Sequence, residues 1–324
     1  MSHGFLLEGE DWLARFLANP DAVSSDALAQ GLYAWGRLAE YGGVLDHARE
    51  LFERSLATSV AAANATVSAR ALCGLGDVAF HHGGYLDALE LYRRALEAPR
   101  SADSAPDAAQ ALLCLGRAAS MSGDVEQSRA WFEEALAIGR HIEDRWSVAY
   151  VLNELSQQAR RAGQLEQAQT ILEECHVLWR QSGTRMGERA AIMNLALVTL
   201  DRGALTRSAE LARESLELSQ DMRDDTSATS VRCVEIAAQV LAALGATPTA
   251  LTLIASATTR REVLEAPRPA VEQPELERLL DAAGSELGPA AYDTAWRYGE
   301  DLAIPDAIDQ AAATLTTLLE TSRP

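Results

Sequence analysis

The stretch LCGLGDVAFHHGGYLDALELYRRALE, residues 72–97, decides the fold, because LLCLGRAASMSGDVEQSRAWFEEALAIG at 112–139 repeats its plan 40 positions later. Each is an apolar-periodic run, a glycine and a second apolar-periodic run. Glycine enters the left-handed backbone conformation without steric penalty and so ends a helix cleanly. Working outward, the same glycine recurs as Gly43, Gly83, Gly123, Gly163, Gly203 and Gly245, at steps of 40, 40, 40, 40 and 42. Seven residues before it stands a small residue: Gly36, Gly76, Gly116, Ser156, Ala196 or Ala238. Five residues after it stands another, Ala48, Ala88, Ser128, Ala168, Ser208 or Ala250, and twelve after it a third, Ser55, Ala95, Ala135, Cys175, Ser215 or Ala257. The slot nine residues after is large in Phe52, Tyr92, Phe132, Leu172 and Ile254, with Ala212 the exception. Six such units predict helix–turn–helix pairs in which small residues let helices cross closely and the large one fills the gap between pairs.

Composition agrees with an all-helical chain: 48% hydrophobic but only 6% aromatic, in 324 residues. All 28 basic residues are arginine and none is lysine, which removes lysine-dependent phosphate loops and Schiff-base chemistry. Against 47 acidic residues the net charge is −19, a balance that repels phosphate backbones, so no direct nucleic-acid partner is expected. Cys73, Cys114, Cys175 and Cys233 form no CxxC pair, and neither a metal site, a disulfide framework nor a cofactor is expected. No apolar run of membrane-spanning length and no leader-like amino terminus occurs, so no membrane partner and a cytoplasmic location are expected. His81 and His82 are adjacent and point about 100° apart on a helix, a poor grip for one ion. The carboxylate pairs Glu133–Glu134, Glu173–Glu174 and Asp224–Asp225 fall where solvated faces or loops are expected, and nothing resembles a nucleophile elbow or zinc-protease motif. The chain is not expected to be an enzyme.

The small and large positions match the tetratricopeptide pattern. Each unit is about six residues longer than the usual 34, enough for roughly one more helical turn at about 1.5 Å per residue. A HEAT-like array would suit the length alone; the positional pattern favours tetratricopeptide. The expected fold is an all-α superhelix of about six such repeats over 23–266. A leading helix within 1–22 (GEDWLARFLANP) precedes it, and capping helices over 267–324 follow, all in one continuous solenoid. Pro267, Pro269 and Pro274 in APRPAVEQP are expected to break the pattern, and ELERLLDAAGSELG, PAAYDTAWRYGE and IPDAIDQAAATLTTLLE to form the cap.

In that pattern the inner face is lined by fixed positions of the first helix of each unit. Here they give Tyr33, Arg37 and Tyr41; Arg70, Asp77 and His81; Gln110, Arg117 and Met121. Later units give Tyr150, Asn153, Gln157 and Arg160; Met193, with Asn194 beside it; and Arg232, Glu235 and Gln239. Arginine forks onto carboxylates, amides serve a peptide backbone and tyrosine stacks, so this face suits an extended peptide or protein segment, or a small acidic effector. The alternative is that these arginines pair with Glu and Asp of neighbouring helices.

GEDWLARFLA near the start, the six units of about 40 residues, the HIEDRWSVAYVLNEL loop and the tail AWRYGEDLAIPDAIDQA together resemble the carboxy-terminal tetratricopeptide region of large actinobacterial LuxR-type and MalT-like ATPase regulators. The tail follows a WxxGxxLxxxxAIxxA pattern through Trp296, Gly299, Leu302, Ala307, Ile308 and Ala311. The resemblance implies a sensor arm for an inducer, peptide or protein that controls an ATPase and a DNA-binding domain. Neither domain lies in this sequence, so the chain is expected to be an excised region of a regulator or a free-standing relative working through partners. A constitutive scaffold or adaptor without effector input is the alternative.

Overall fold

A computed structural model describes residues 8–9, 12–15, 23–97, 105–222, 227–264, 266, 268 and 272–321. Its plan follows from the turns. Gly43, Gly83, Gly123, Gly163, Gly203 and Gly245 all have positive φ, between 73° and 88°. Each closes a helix with a bond from the next residue back to a carbonyl five positions earlier, as in Val44 N–H to Ala39 O at 2.8 Å and Gln164 N–H to Ala159 O at 2.9 Å.

Midway between these glycines the backbone does the same again, at Ala63 (φ 55°), Glu143 (φ 57°) and Gly183 (φ 68°). Asn64, Asp144 and Thr184 make the corresponding bonds to Ser59, Gly139 and Trp179. Turns inside and between hairpins therefore share one geometry, and helix ends recur about every 20 residues. Asn64 and Asp144 also cap the helices that follow, accepting from Val67 N–H at 2.9 Å and Ser147 N–H at 3.2 Å.

By contact the chain divides into two compact units, 1–154 and 155–324. Unit 1 contains α1 (Ser25–Tyr41), α2 (Leu45–Ala61), α3 (Ala65–His81), α4 (Tyr85–Glu97), α5 (Ala105–Ser122), α6 (Val125–His141) and the first part of α7 (Arg145–Arg161). From α1 to α6 each helix touches its sequence neighbours, and the first helices of successive hairpins touch one another, α1 with α3 and α3 with α5. The small-to-large rule holds atom for atom. A β-carbon at Gly36, Gly76 or Gly116 would stand 2.6, 2.4 or 2.5 Å from the ring of Phe52, Tyr92 or Phe132. Phe52 also presses on Gly74 of the next hairpin, so one ring fills space both within and between pairs.

Unit 2 contains the rest of α7, then α8 (Leu165–Ser182), α9 (Arg185–Asp201), α10 (Leu205–Met222), α11 (Ala228–Ala243), α12 (Thr247–Val263), α13 (Gln273–Glu300) and α14 (Ile304–Thr321). From α8 to α13 consecutive helices touch in the same way, and a single apolar cluster runs from Ala159 to Leu315. The α14 stripe of Ile304, Ala307, Ile308, Ala311 and Leu315 packs on α10, α11 and α12. In the tail pattern, a β-carbon on Gly299 would stand 2.2 Å from Thr252 O, which accounts for glycine there.

The all-α tetratricopeptide-type superhelix read from the sequence is the fold class observed, and no strand occurs among the described residues. One expectation needs correction. Pro274 does not break a helix but stands in the first turn of α13, where no backbone N–H donor is needed. Pro267, Pro269, Asp224, Asp225 and most of the leading helix lie outside the described residues.

Candidate functional site

In unit 1, α1, α3 and α5 place equivalent side chains in a row, Arg37, Asp77 and Arg117, at 40-residue intervals. The row is unevenly paired. Arg37 donates to Asp77 Oδ2 at 2.8 Å, lies 3.0 Å from Glu40, and donates to Tyr41 Oη at 3.1 Å. The other oxygen of Asp77 accepts from Tyr92 Oη at 2.7 Å, with Cys114 Sγ at 3.8 Å. Burial, with the nearby charge of Glu40, raises the Asp77 pKa above the ordinary carboxylate range despite these partners. With Asp77 taken by Arg37, the half-buried Arg117 guanidinium meets no carboxylate within ion-pair reach among the described residues. It lies instead over the Phe80 ring, 4.6 Å from its centre.

Next to this row is a cavity of about 190 Å³ lined by Tyr33, Arg37, Tyr41, Arg70, Cys73, Asp77, Asp107, Gln110 and Trp146. Six of these, Tyr33, Arg37, Tyr41, Arg70, Asp77 and Gln110, are positions read from the sequence as inner-face slots. Arg70 is paired, its Nε donating to Asp107 at 2.7 Å. Burial drives the Tyr33 phenol up to about 12, so it stays a neutral donor. Gln110 and Arg117 are seven apart on α5 and share a helical face. Trp146, 47% exposed, stacks on Tyr150 with ring centres 5.5 Å apart. The surface thus offers a guanidinium with no carboxylate in ion-pair reach, an amide, phenols and an exposed indole.

Other slots of unit 1 sit at the margins. His81 is exposed, 3.8 Å from Glu40, and Met121 is exposed. His82 is exposed, and no group of three or more His, Cys, Asp or Glu is placed to hold a metal among the described residues. Glu133, Glu134, Glu173 and Glu174 are all exposed.

Unit 2 fills its inner face differently. Arg160 donates to Asp201 at 2.6 Å and to Glu275 at 2.9 Å. Arg232 donates to Glu272 at 2.6 Å. Glu235, 1% exposed, is gripped by both donor ends of Arg261 at 2.6 and 2.9 Å and by Arg268 at 2.5 Å. Burial alone would raise its pKa; the arginines outweigh that and hold it below the ordinary range. Gln239 joins Arg160 in lining a cavity of about 440 Å³ under α13. Met193 and Asn194 are buried and Gln157 is partly exposed, as is Asn153 at the end of unit 1.

Pairing with neighbouring carboxylates, the alternative raised above, therefore describes Arg37, Arg70, Arg160 and Arg232, and leaves Arg117 apart. Sequence reasoning missed Trp146, whose signal was its place one turn before Tyr150. It also missed Glu272 and Glu275, whose pairing over 40 and 115 residues leaves no local trace.

A sequence model of the tetratricopeptide repeat matches residues 108–143, the hairpin of α5 and α6. No curated protein matches this chain. Among solved structures, the apo form of RapI resembles it with a TM-score of 0.61 at 10% identity, over 91% of this chain and 99% of that one. A Rap protein complexed with competence and sporulation factor gives 0.61 at 12% identity, over 97% and 81%. BtubC from P. vanneervenii gives 0.55 at 16% identity, over 68% and 90%. At these identities the likeness speaks for the fold alone, a helical repeat array of the tetratricopeptide type.

Proposed function

We propose that this chain is a tetratricopeptide binding module whose unit 1 inner face takes a carboxylate-bearing segment of a peptide or protein, or a small acidic effector. The observation that carries the reading is Arg117. This half-buried guanidinium has no carboxylate within ion-pair distance, Asp77 acting on it only from beyond that range, and a ligand carboxylate could meet it with charge-assisted bonds. Gln110 and the Tyr33 phenol can serve a ligand backbone, and Trp146 offers an apolar plate. The Rap protein solved with its factor supports the reading by analogy of fold alone. The tail pattern at Trp296–Ala311 supports the finer reading of a sensor region in a transcriptional regulator, in which occupancy alters the packing of successive repeats.

The test is a binding screen of free-carboxylate peptides, their amidated counterparts and small dicarboxylates, by fluorescence anisotropy. The reading expects hits confined to free carboxylates, weakened by salt, and reduced about tenfold or more by Arg117→Ala. Hits indifferent to Arg117 would sink the site. Stable capture of one protein partner with no effect of any carboxylate would favour the constitutive scaffold.

A further inference from the structure

The first half of α13 returns across the inner face of unit 2. Glu272 accepts from Arg232, Glu275 from Arg160, and Glu286 from Thr247 Oγ1 at 2.7 Å. Arg160 and Arg232 are inner-face slots of their own repeats, the positions a ligand would meet. Between this segment and the face lies the cavity of about 440 Å³, lined by Gln239, Leu279 and Ala283 among others. Packing here is thin: Ala283 is the one buried residue of α13 before Gly288, and Leu276, Leu279 and Leu280 are only partly covered. The second half is held otherwise. After the break at Gly288 (φ 71°, ψ 168°) and Pro289, Thr252 donates to Ala295 O at 3.1 Å and Gly299 lies tight against α12. One half is tied by charge over a void and the other by close packing, with a glycine–proline joint between them.

We propose that the unit 2 inner face is an acceptor for an acidic amphipathic helix, and that residues 272–287 are its resident occupant, exchangeable for a partner helix of the same chemistry. That chemistry is two carboxylates three residues apart, as in Glu272 and Glu275, with leucines beginning one residue further on and recurring three and four later, as in Leu276, Leu279 and Leu280. The carboxylates satisfy Arg232 and Arg160, Leu279 lines the void, and Leu276 and Leu280 rest on the apolar cluster beside it. A tethered segment competes at an effective concentration on the order of millimolar, so the face stays closed to weak or charge-poor helices. The inference stands apart from the unit 1 site and survives if that site fails.

The probe is a fluorescein-labelled synthetic peptide of residues 272–287, EQPELERLLDAAGSEL, added to the full chain. The double variant Glu272→Ala/Glu275→Ala is expected to bind it about tenfold more tightly than the unsubstituted chain, because the resident no longer competes. Adding Arg232→Glu should abolish that gain. Amide exchange in the double variant should quicken over 273–287 and stay unchanged over 289–300 and 304–321. Equal peptide binding by both chains, or unaltered protection of 273–287, overturns the proposal and makes the segment a fixed cap. Should the double variant unfold, the unsubstituted chain decides: excess peptide must speed exchange over 273–287, and a peptide with glutamine at both positions must not.

Discussion

The two units furnish the same kind of helix face with different charge partners. In unit 1 Arg37 takes both Asp77 and Glu40, and Arg117, next in the row, lies over the Phe80 ring with no carboxylate within ion-pair distance. In unit 2 the chain supplies its own counter-charges from α13, and Arg160 and Arg232 are satisfied internally. Repeat register alone therefore does not make a binding surface. The two faces differ in where their arginines find carboxylates, on the first helices of the hairpins in unit 1 and also on the returning α13 in unit 2.

The buried carboxylates give the sharpest way to break this contrast. Replacing Glu235 by alanine leaves Arg261 and Arg268 facing each other without their shared anion, and should cost unit 2 about 3–5 kcal/mol. Chemical denaturation read from hydrogen exchange in each unit would measure it, and a loss below 1 kcal/mol would show the cluster to be solvated. In unit 1, Arg37→Gln removes one of several partners of Asp77, and about 1.5–3 kcal/mol is expected. Asp77→Asn in the same background should recover part of that, since the amide needs no cation.

Acidification should move the two carboxylates in opposite directions, by at most about 1.4 kcal/mol per pH unit for each group. The pKa of Glu235 is lowered, so its stabilising contribution is in place above the ordinary carboxylate range and is lost as pH falls through its folded value. The pKa of Asp77 is raised, so its native form takes up a proton more readily than the unfolded chain, and its contribution improves as pH falls through its folded value. Exchange protection, corrected for intrinsic rates, should therefore shift in favour of the amides around Asp77 over those around Glu235 as pH falls below about 5. Equal loss in both would contradict the assignment. The smallest effect belongs to Arg117→Gln, which breaks no ion pair and should cost only about 0.5–1 kcal/mol for the lost Phe80 contact. A larger loss would mean that Arg117 has a structural duty, which the binding reading does not require.

Much of this was legible in the sequence, and the reasons for the rest are physical. The six glycine turns could be read because positive φ selects glycine, and the Gly36–Phe52 type of pair because a missing side chain must face a large one. The other set of turns was hidden, since Ala63 and Glu143 hold the same conformation without the glycine that would announce it. Among inner-face slots, spacing brought six residues to one cavity in unit 1. It could not reveal that Glu235 is sealed under Arg261 and Arg268, or that Arg160 is met by Glu275 from 115 residues away. Such pairings depend on where the chain returns, which periodicity does not encode.

The shared geometry of the two kinds of turn bears on how such a chain can change length. Because helix ends from Tyr41 to Asp201 keep a beat of about 20 residues, a cassette of two beats can be removed or duplicated with each splice rejoining like to like. Side chains on either side of the splice would meet partners of the same size class, small against large, as at Gly76 and Tyr92. The tolerance ends where individuality begins: deleting the cassette that carries Asp77 would bring Arg37 and Arg117 into adjacent register, two like charges where the intact chain sets an anion between them.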